Sequence, residues 1–535
     1  MKPIWWLPTF GFGLFLAIEL SMFAIPGQIF EDPGVGRHLR TAEVILETGQ
    51  VPRADPLSFT KAGEPWTDYE WAFEATVGEL YRAGGLGLVA AFCFAIFAST
   101  VLGVYRTVLQ SGVSLSTLIL CTGMAWLTLH LHFAVRPVLF TYLFMALVVE
   151  VWYRQAQPRG RDWLFLPIVF VAWGNLHAGW LAAFVFWGFS IFGRILDRIA
   201  GRVDGDEAPV IPWIGLALLC LLATWFNPLG WTLHHQVIAF ASTYKSFALW
   251  DEFQPPNFAG PSMSAVTILF VLGVTLLAKV RRNPPTWRWE ALLPMLFFLY
   301  SGLKTQRHVL LLIEVSIIPV ARDLEVLLHG HWWPALKKRL SAVAHRDLAA
   351  TNDTGQAEAA TLTVELGDSI QQRLKDFQAR QRAAGGDAWL SLVAALVLTA
   401  LFVRTPAAHH IEVGKSVTPK LIAFVRDHPD RFQRPLTTTW NAGPLLWNLR
   451  PDFRVSFDDR GDFYGDDTVF SFVNLYNGAA GHGKIPGWRE MLEKGNYDSA
   501  ILDSYLQLNQ FLHFMPEWHE VYRDEHTVVY WRQRK

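Results

Sequence analysis

The chain has 535 residues, and its 46 Lys and Arg nearly balance its 47 Asp and Glu. The near-zero net charge gives no sign of nucleic-acid binding. Hydrophobic residues make up 52% and charged residues only 17%, against about a quarter in an ordinary soluble domain. With 24 Trp and 38 Phe, this excludes an ordinary soluble protein and points to a chain whose solvent is largely lipid. Cys93, Cys121 and Cys220 all lie in apolar runs. They read as small core residues, and no disulfide framework or Cys metal site is implied.

The first apolar run, Ile4 to Pro26, is too long for a signal-peptide core and lacks a clear small-residue cleavage site. A spanning helix over 4–26 fits it better. Further apolar runs predict spans near 85–105, 112–131, 137–153, 162–176, 179–194, 211–226, 263–280, 289–303, 308–321 and 388–403. The expectation is therefore an α-helical polytopic membrane protein with about eleven spans. The connections sort by charge. One set carries Arg106; Arg154, Arg159 and Arg161; Arg194, Arg198 and Arg202; and Lys279, Arg281, Arg282 and Arg288. The positive-inside rule puts these in the cytoplasm, with Lys2 and the N-terminus. An odd number of spans then leaves the C-terminal domain outside. The run from 162 to 194 is far too long for one crossing and has basic residues at both ends. It must go out and return, turning at 175–179, slightly below the membrane surface.

The domain plan is a transmembrane core over 1–321 with an external loop over 27–84, a polar cytoplasmic insert over 322–387, a last span over 388–403, and an external domain over 404–535. Within the insert, Thr351 to Gly355 resembles a flexible linker, and the Asn352-Asp353-Thr354 sequon reads as chance. No internal repeat is visible. The C-terminal domain predicts a helix over 416–427 capped by Thr418, a strand over 435–440, a helix over 442–449, and a strand over 453–457. A helix over 488–493, a strand over 499–502 and a hairpin of 518–522 with 527–531 follow. Strands alternating with helices suggest a small α/β domain.

The outer side collects polar groups. One hairpin tip carries His130, His132 and Arg136; the next turn carries Asn175 and His177; a third carries Lys304, Arg307 and His308. The orientation rule would otherwise keep Arg and Lys off that side. Cations retained there suit an anion such as phosphate. Singly, each also fits a headgroup-snorkelling Arg or a hydrogen-bonded interface His. The first external loop supplies the opposite charge, with Glu31 and Asp32 where the chain leaves the bilayer. Carboxylates there suit a divalent metal or a base for an acceptor hydroxyl. Glu31 solvated beside an Asp32-Pro33 turn is the plainer alternative.

An acidic pair opening a large first external loop, with a C-terminal external domain, resembles the GT-C superfamily of glycosyltransferases. A closer resemblance is to a group of bacterial membrane proteins with this layout. It rests on Asp32, Pro33, His38, Leu39, Gly49, Pro52, Asp55, Pro56, Ser58, Phe59, Trp66, Glu70 and Trp71. Arg136-Pro137, Asn175-Leu176-His177, Asn227-Pro228-Leu229-Gly230, Arg307 and the 458–465 segment add to it. It covers most of the chain outside 322–387. Gly34-Val35-Gly36-Arg37 stand where the group has a second acidic residue and aromatics, so a paired-carboxylate metal site would need Glu31.

The resemblance implies transfer of a sugar from a polyprenyl-phosphate-linked donor at the outer face of a bacterial inner membrane. The acceptor would be a glycan, a lipid or a protein, with membrane lipids around the core. Asp32 would be the catalytic base and, with Glu31, a ligand of Mg²⁺ or Mn²⁺. Arg136, His177, Arg307 and His308 would hold the donor phosphate. Trp66, Glu70, Trp71 and Asn175 would bind sugar or acceptor. A lipid or glycan transporter or flippase is the rival reading, predicting charges buried mid-span; Glu314 is the main one. No GxxxxGK[ST] motif is present, which argues against an ATP-driven pump in this chain. A third reading is a transferase-like scaffold that has lost its chemistry.

Overall fold

Each of the eleven predicted spans falls on a helix. In chain order these are α1 (Phe10–Ser21), then α3 (Trp71–Gln110) after the loop helix α2 (Gly34–Thr48), α4 (Leu115–Leu129), α5 (Val138–Arg154), α6 (Asp162–Leu176), α7 (Leu181–Ile199) and α8 (Ile211–Ala223). After α9 (Trp231–Ser242) come α10 (Met263–Arg281), α11 (Trp289–Lys304), α12 (Val309–His329), a helix α13 over 372–383, and α14 (Asp387–Phe402). This is a computed structural model, describing residues 4, 6–203, 209–242, 245–281, 288–329, 338, 342, 369, 372–414 and 416–533. The 351–355 linker, the sequon within it, Lys2 and Arg282 lie outside the described residues.

By length and composition, four of the described helices can cross a membrane: Trp71–Gln110, Leu115–His132, Ala178–Ile199 and Met263–Arg281. Phe10–Ser21, Asp162–Leu176, Ile211–Ala223 and Asp387–Phe402 are apolar but shorter. Helix ends follow local chemistry. Thr9 caps α1 by accepting from the Gly11 N–H, and Ser114 caps α4 by accepting from the Thr117 N–H. The 40-residue α3 breaks at Gly84 and Gly85, the latter at φ +67°, a conformation that favours glycine. The segment after the break is the predicted span; the segment before it belongs to the loop side.

Polar contacts show which ends lie together. Thr9 and Arg106 both bond Asp387 at the start of α14, and Glu325 of α12 accepts from Ser114 and Thr117 of α4. At the opposite end the Val135 N–H donates to Ile29 O, and Asn175 donates to Phe226 O. The basic connections and the hairpin tips therefore occupy opposite ends of the bundle. The 162–194 run reverses at His177, as expected.

The segment 27–84, expected as an external loop, is more helical than a loop. α2 starts at Gly34 instead of Leu39, because the Asp32 carboxylate accepts from the Gly34 N–H and opens the helix early. It ends at Gly49, φ +66°. α9 was not predicted.

The C-terminal domain carries α15 (Pro419–Asp427), β1 (Pro435–Leu436), α16 (Thr439–Asn448), α17 (Gly461–Tyr464), α18 (Asp466–Asn477), α19 (Trp488–Lys494), β2 (Ser499–Asp503), β3 (Trp518–Arg523) and β4 (Thr527–Arg532). The sheet order is β1-β2-β4-β3, with β1 parallel to β2 and the other pairs antiparallel. Thr418 caps α15, and the hairpin and β2 lie where predicted. Two expectations fail. The strand over 435–440 shrinks to two residues, because Thr438 and Asn441 form a capping box that starts α16. The strand over 453–457 is a single bridge, Val455 to Ser58 of the 27–84 segment.

Candidate active site

The C-terminal domain docks on the 27–84 segment, and a cavity of about 430 Å³ opens where they meet the hairpin tips. Gly36 of α2 and Gly443 of α16 make the close approach: a Cβ on either would collide with the other element's backbone. The bridge at Val455 and the Thr60 hydroxyl donating to Ser456 O extend the joint. Arg460 completes it, bonded to Asp458 (2.6 Å) and to Asp55 (2.8 Å) and lying 4.5 Å from the Trp66 ring centroid. Asp458 and Arg460 thus form a structural pair that seats Trp66.

Asp32 and the basic tips meet. Asp32 lies 2.8 Å from Arg136. Arg136 and Arg307 share Glu252, at 3.0 and 3.3 Å. Burial opposes ionisation of Glu252, but the guanidiniums of Arg307 and Arg136 prevail and hold its carboxyl down at about 2. Arg136 itself is raised, its carboxylate partners Asp32 and Glu252 outweighing burial. Arg37, Glu70, Arg136, His177, Arg307 and His308 all line the cavity.

His177 contributes a dipole and no positive charge. Its Nδ1 accepts from the Gly179 N–H (3.0 Å) and lies 2.7 Å from the Thr141 hydroxyl. That leaves the proton on Nε2, which faces Glu70 Oε1 at 3.8 Å. Burial, helped by Arg307, lowers its pKa to about 3. Glu70 is the counterpart. Burial raises its carboxyl to about 7; Arg37 pulls it down and Asp68 pushes it up.

Arg37 is the hub of a buried network. It bonds Asp459 (2.8 Å) and Glu74 (3.3 Å), and donates to His38 Nε2 (3.1 Å). His38 then donates from Nδ1 to Glu74 (2.9 Å). Burial and the neighbouring Arg37 keep His38 well below its usual pKa, so it stays neutral. Asp459 is held low by Arg37 against its burial.

The remaining predicted residues separate. Trp66 lines the cavity. Trp71 and Asn175 bond each other instead (3.1 Å), and Asn175 also donates to Val171 O and Phe226 O, so the pair anchors α3 to α6. Glu31 is exposed. Sequence reasoning named His38 and the 458–465 segment only as part of the resemblance and gave no role to Arg37, His38, Glu74, Glu252 or Asp462. Arg37 carried one signal: a cation in a segment where the group has aromatics.

No family model and no curated protein matches the sequence. Solved structures match at low sequence identity. ArnT from Cupriavidus metallidurans in the apo state is 14% identical, with 97% of each chain covered and a TM-score of 0.46. The Archaeoglobus fulgidus oligosaccharyltransferase in the apo form is 11% identical, over 92% of this chain and 69% of that one, with a TM-score of 0.50. The latter likeness concerns fold alone. The chain shares its overall fold with that oligosaccharyltransferase.

Proposed function

We propose that the chain is a membrane glycosyltransferase. It moves a sugar from a polyprenyl-phosphate-linked donor to a glycan, lipid or protein acceptor, at the outer face of a bacterial inner membrane. The observation that carries this reading is the meeting of Asp32 with Arg136 at 2.8 Å, beside a cavity shared by Arg307, His177 and Glu70. An acceptor hydroxyl attacks the anomeric carbon, and the bond from that carbon to the phosphate oxygen breaks. The electron pair leaves with the phosphate. Arg136 and Arg307 neutralise it, in a partly dry site where such contacts are strong, and His177 Nε2–H donates to it. Asp32 takes the acceptor proton. Glu70 and Trp66 hold the sugar or acceptor.

For Mg²⁺ or Mn²⁺ the donor set does not fit. Glu31 is exposed, and no cluster of three His, Cys, Asp or Glu ligands occurs among the described residues.

Asp32→Asn in the purified full-length chain is expected to lower transfer from a polyprenyl-phosphate sugar by about 10²–10⁴-fold with the melting temperature retained. Full transfer by that variant removes Asp32 as the base. Accumulation of the charged lipid carrier in a deletion strain separates a transferase from an inactive scaffold.

A further inference from the structure

A second cavity, of about 320 Å³, lies at the other end of the bundle. The same helices line both. α7 gives Leu181 and Val185 to the first cavity and Arg194 to the second; α11 gives Ser301 and Glu290, and α12 gives Leu311 and Arg322. α5 has 17 residues, so the two lie roughly 25 Å apart at 1.5 Å per residue. The second cavity therefore opens at the end that carries the basic connections.

Its centre is Arg194, only 4% exposed. The guanidinium stacks 3.9 Å from the Trp152 ring centroid, donates to Ala156 O at 2.7 Å and pairs with Glu290 at 2.9 Å. Its Nε has no partner among the described residues, and neither has the buried hydroxyl of Tyr153, which lines the same cavity. Leaving such donors unsatisfied is costly, so an acceptor is expected there. Lys279, Arg288 and Arg322 also line it, against two carboxylates, Glu290 and Asp323. Two positive charges remain in excess among the described residues. A planar guanidinium pinned by an aromatic face suits a tetrahedral oxyanion.

We propose that this cavity binds the phosphate of an anionic membrane lipid, drawn from the leaflet on the basic side. The site is distinct from the donor pocket, and it holds whether or not the chain transfers sugar.

The test uses native mass spectrometry of the detergent-purified full chain with phosphatidylglycerol, with phosphatidylcholine as control and inorganic phosphate as a separate arm. Retention of phosphatidylglycerol over phosphatidylcholine is expected. It should weaken about fivefold for each basic residue removed in Arg288→Ala and Arg322→Ala. Arg194→Lys keeps the charge but loses the planar donors, and should weaken it too. The exposed Arg161→Ala should not, and normal elution of each variant guards against misfolding. Binding that is equal for both lipids, or indifferent to Arg194, Arg288 and Arg322, overturns the proposal. Equal, Arg194-dependent competition by inorganic phosphate keeps the anion site and overturns the lipid as its source.

Discussion

Glu70 sits in the cavity as a carboxyl that changes charge near neutral pH. Burial raises it to about 7, so it is ionised only above that pH. If it must accept hydrogen bonds from sugar hydroxyls, kcat/KM should fall about tenfold per pH unit below 7. Glu70→Gln should flatten that limb, as a pH–rate profile would show. Stability runs the other way. The folded chain holds this proton more tightly than the unfolded one, so its contribution is full below the ordinary carboxyl value and is lost as pH rises through about 7. Glu70→Gln should therefore melt above the parent at pH 8. The cations Arg136 and Arg307 were legible because the charge rule makes Arg costly on that side. Their carboxylate Glu252 was not, since it lies 116 residues beyond Arg136 in a segment with no periodic pattern. Arg37 and Asp459, 422 residues apart, were invisible as a pair for the same reason.

At the scale of elements, α2 and α16 meet glycine to glycine. A methyl on Gly443 would strike the Pro33 carbonyl, which lies next to Asp32. Gly443→Ala should cost about 1–3 kcal/mol by forcing the helices apart. It should also expose the 49–70 segment to protease and lower transfer, measured by thermal melting and limited proteolysis. Long apolar helices were easily read, because crossing lipid demands an unmistakable run. α9 and α18 were not: both are 12 residues and mixed in polarity. The 453–457 segment has strand composition, yet its hydrogen-bonding partner lies in the 27–84 segment, some 400 residues away.

For the whole molecule, sidedness is the decisive quantity. Cys93, Cys121 and Cys220 are buried, so new cysteines can report alone. Ala62, Glu525 and Arg159 are exposed. Ala62→Cys and Glu525→Cys should react with a membrane-impermeant maleimide on intact cells, and Arg159→Cys only after permeabilisation. Labelling of Arg159→Cys first would invert the orientation. The separation into bundle and α/β domain was readable from composition. Their docking was not, because glycine contacts and single bridges leave no pattern in sequence.

Glu252 carries a further consequence. Arg136 and Arg307 already share its carboxylate, so under the proposed function an incoming phosphate would be an anion arriving at an occupied berth. Binding then amounts to an ion exchange, in which one carboxylate is turned out toward water as another oxyanion takes its place. Selectivity follows: a ligand succeeds only if it grips both guanidiniums better than a carboxylate that is permanently tethered beside them. A lone sugar or an uncharged lipid has no means of evicting it.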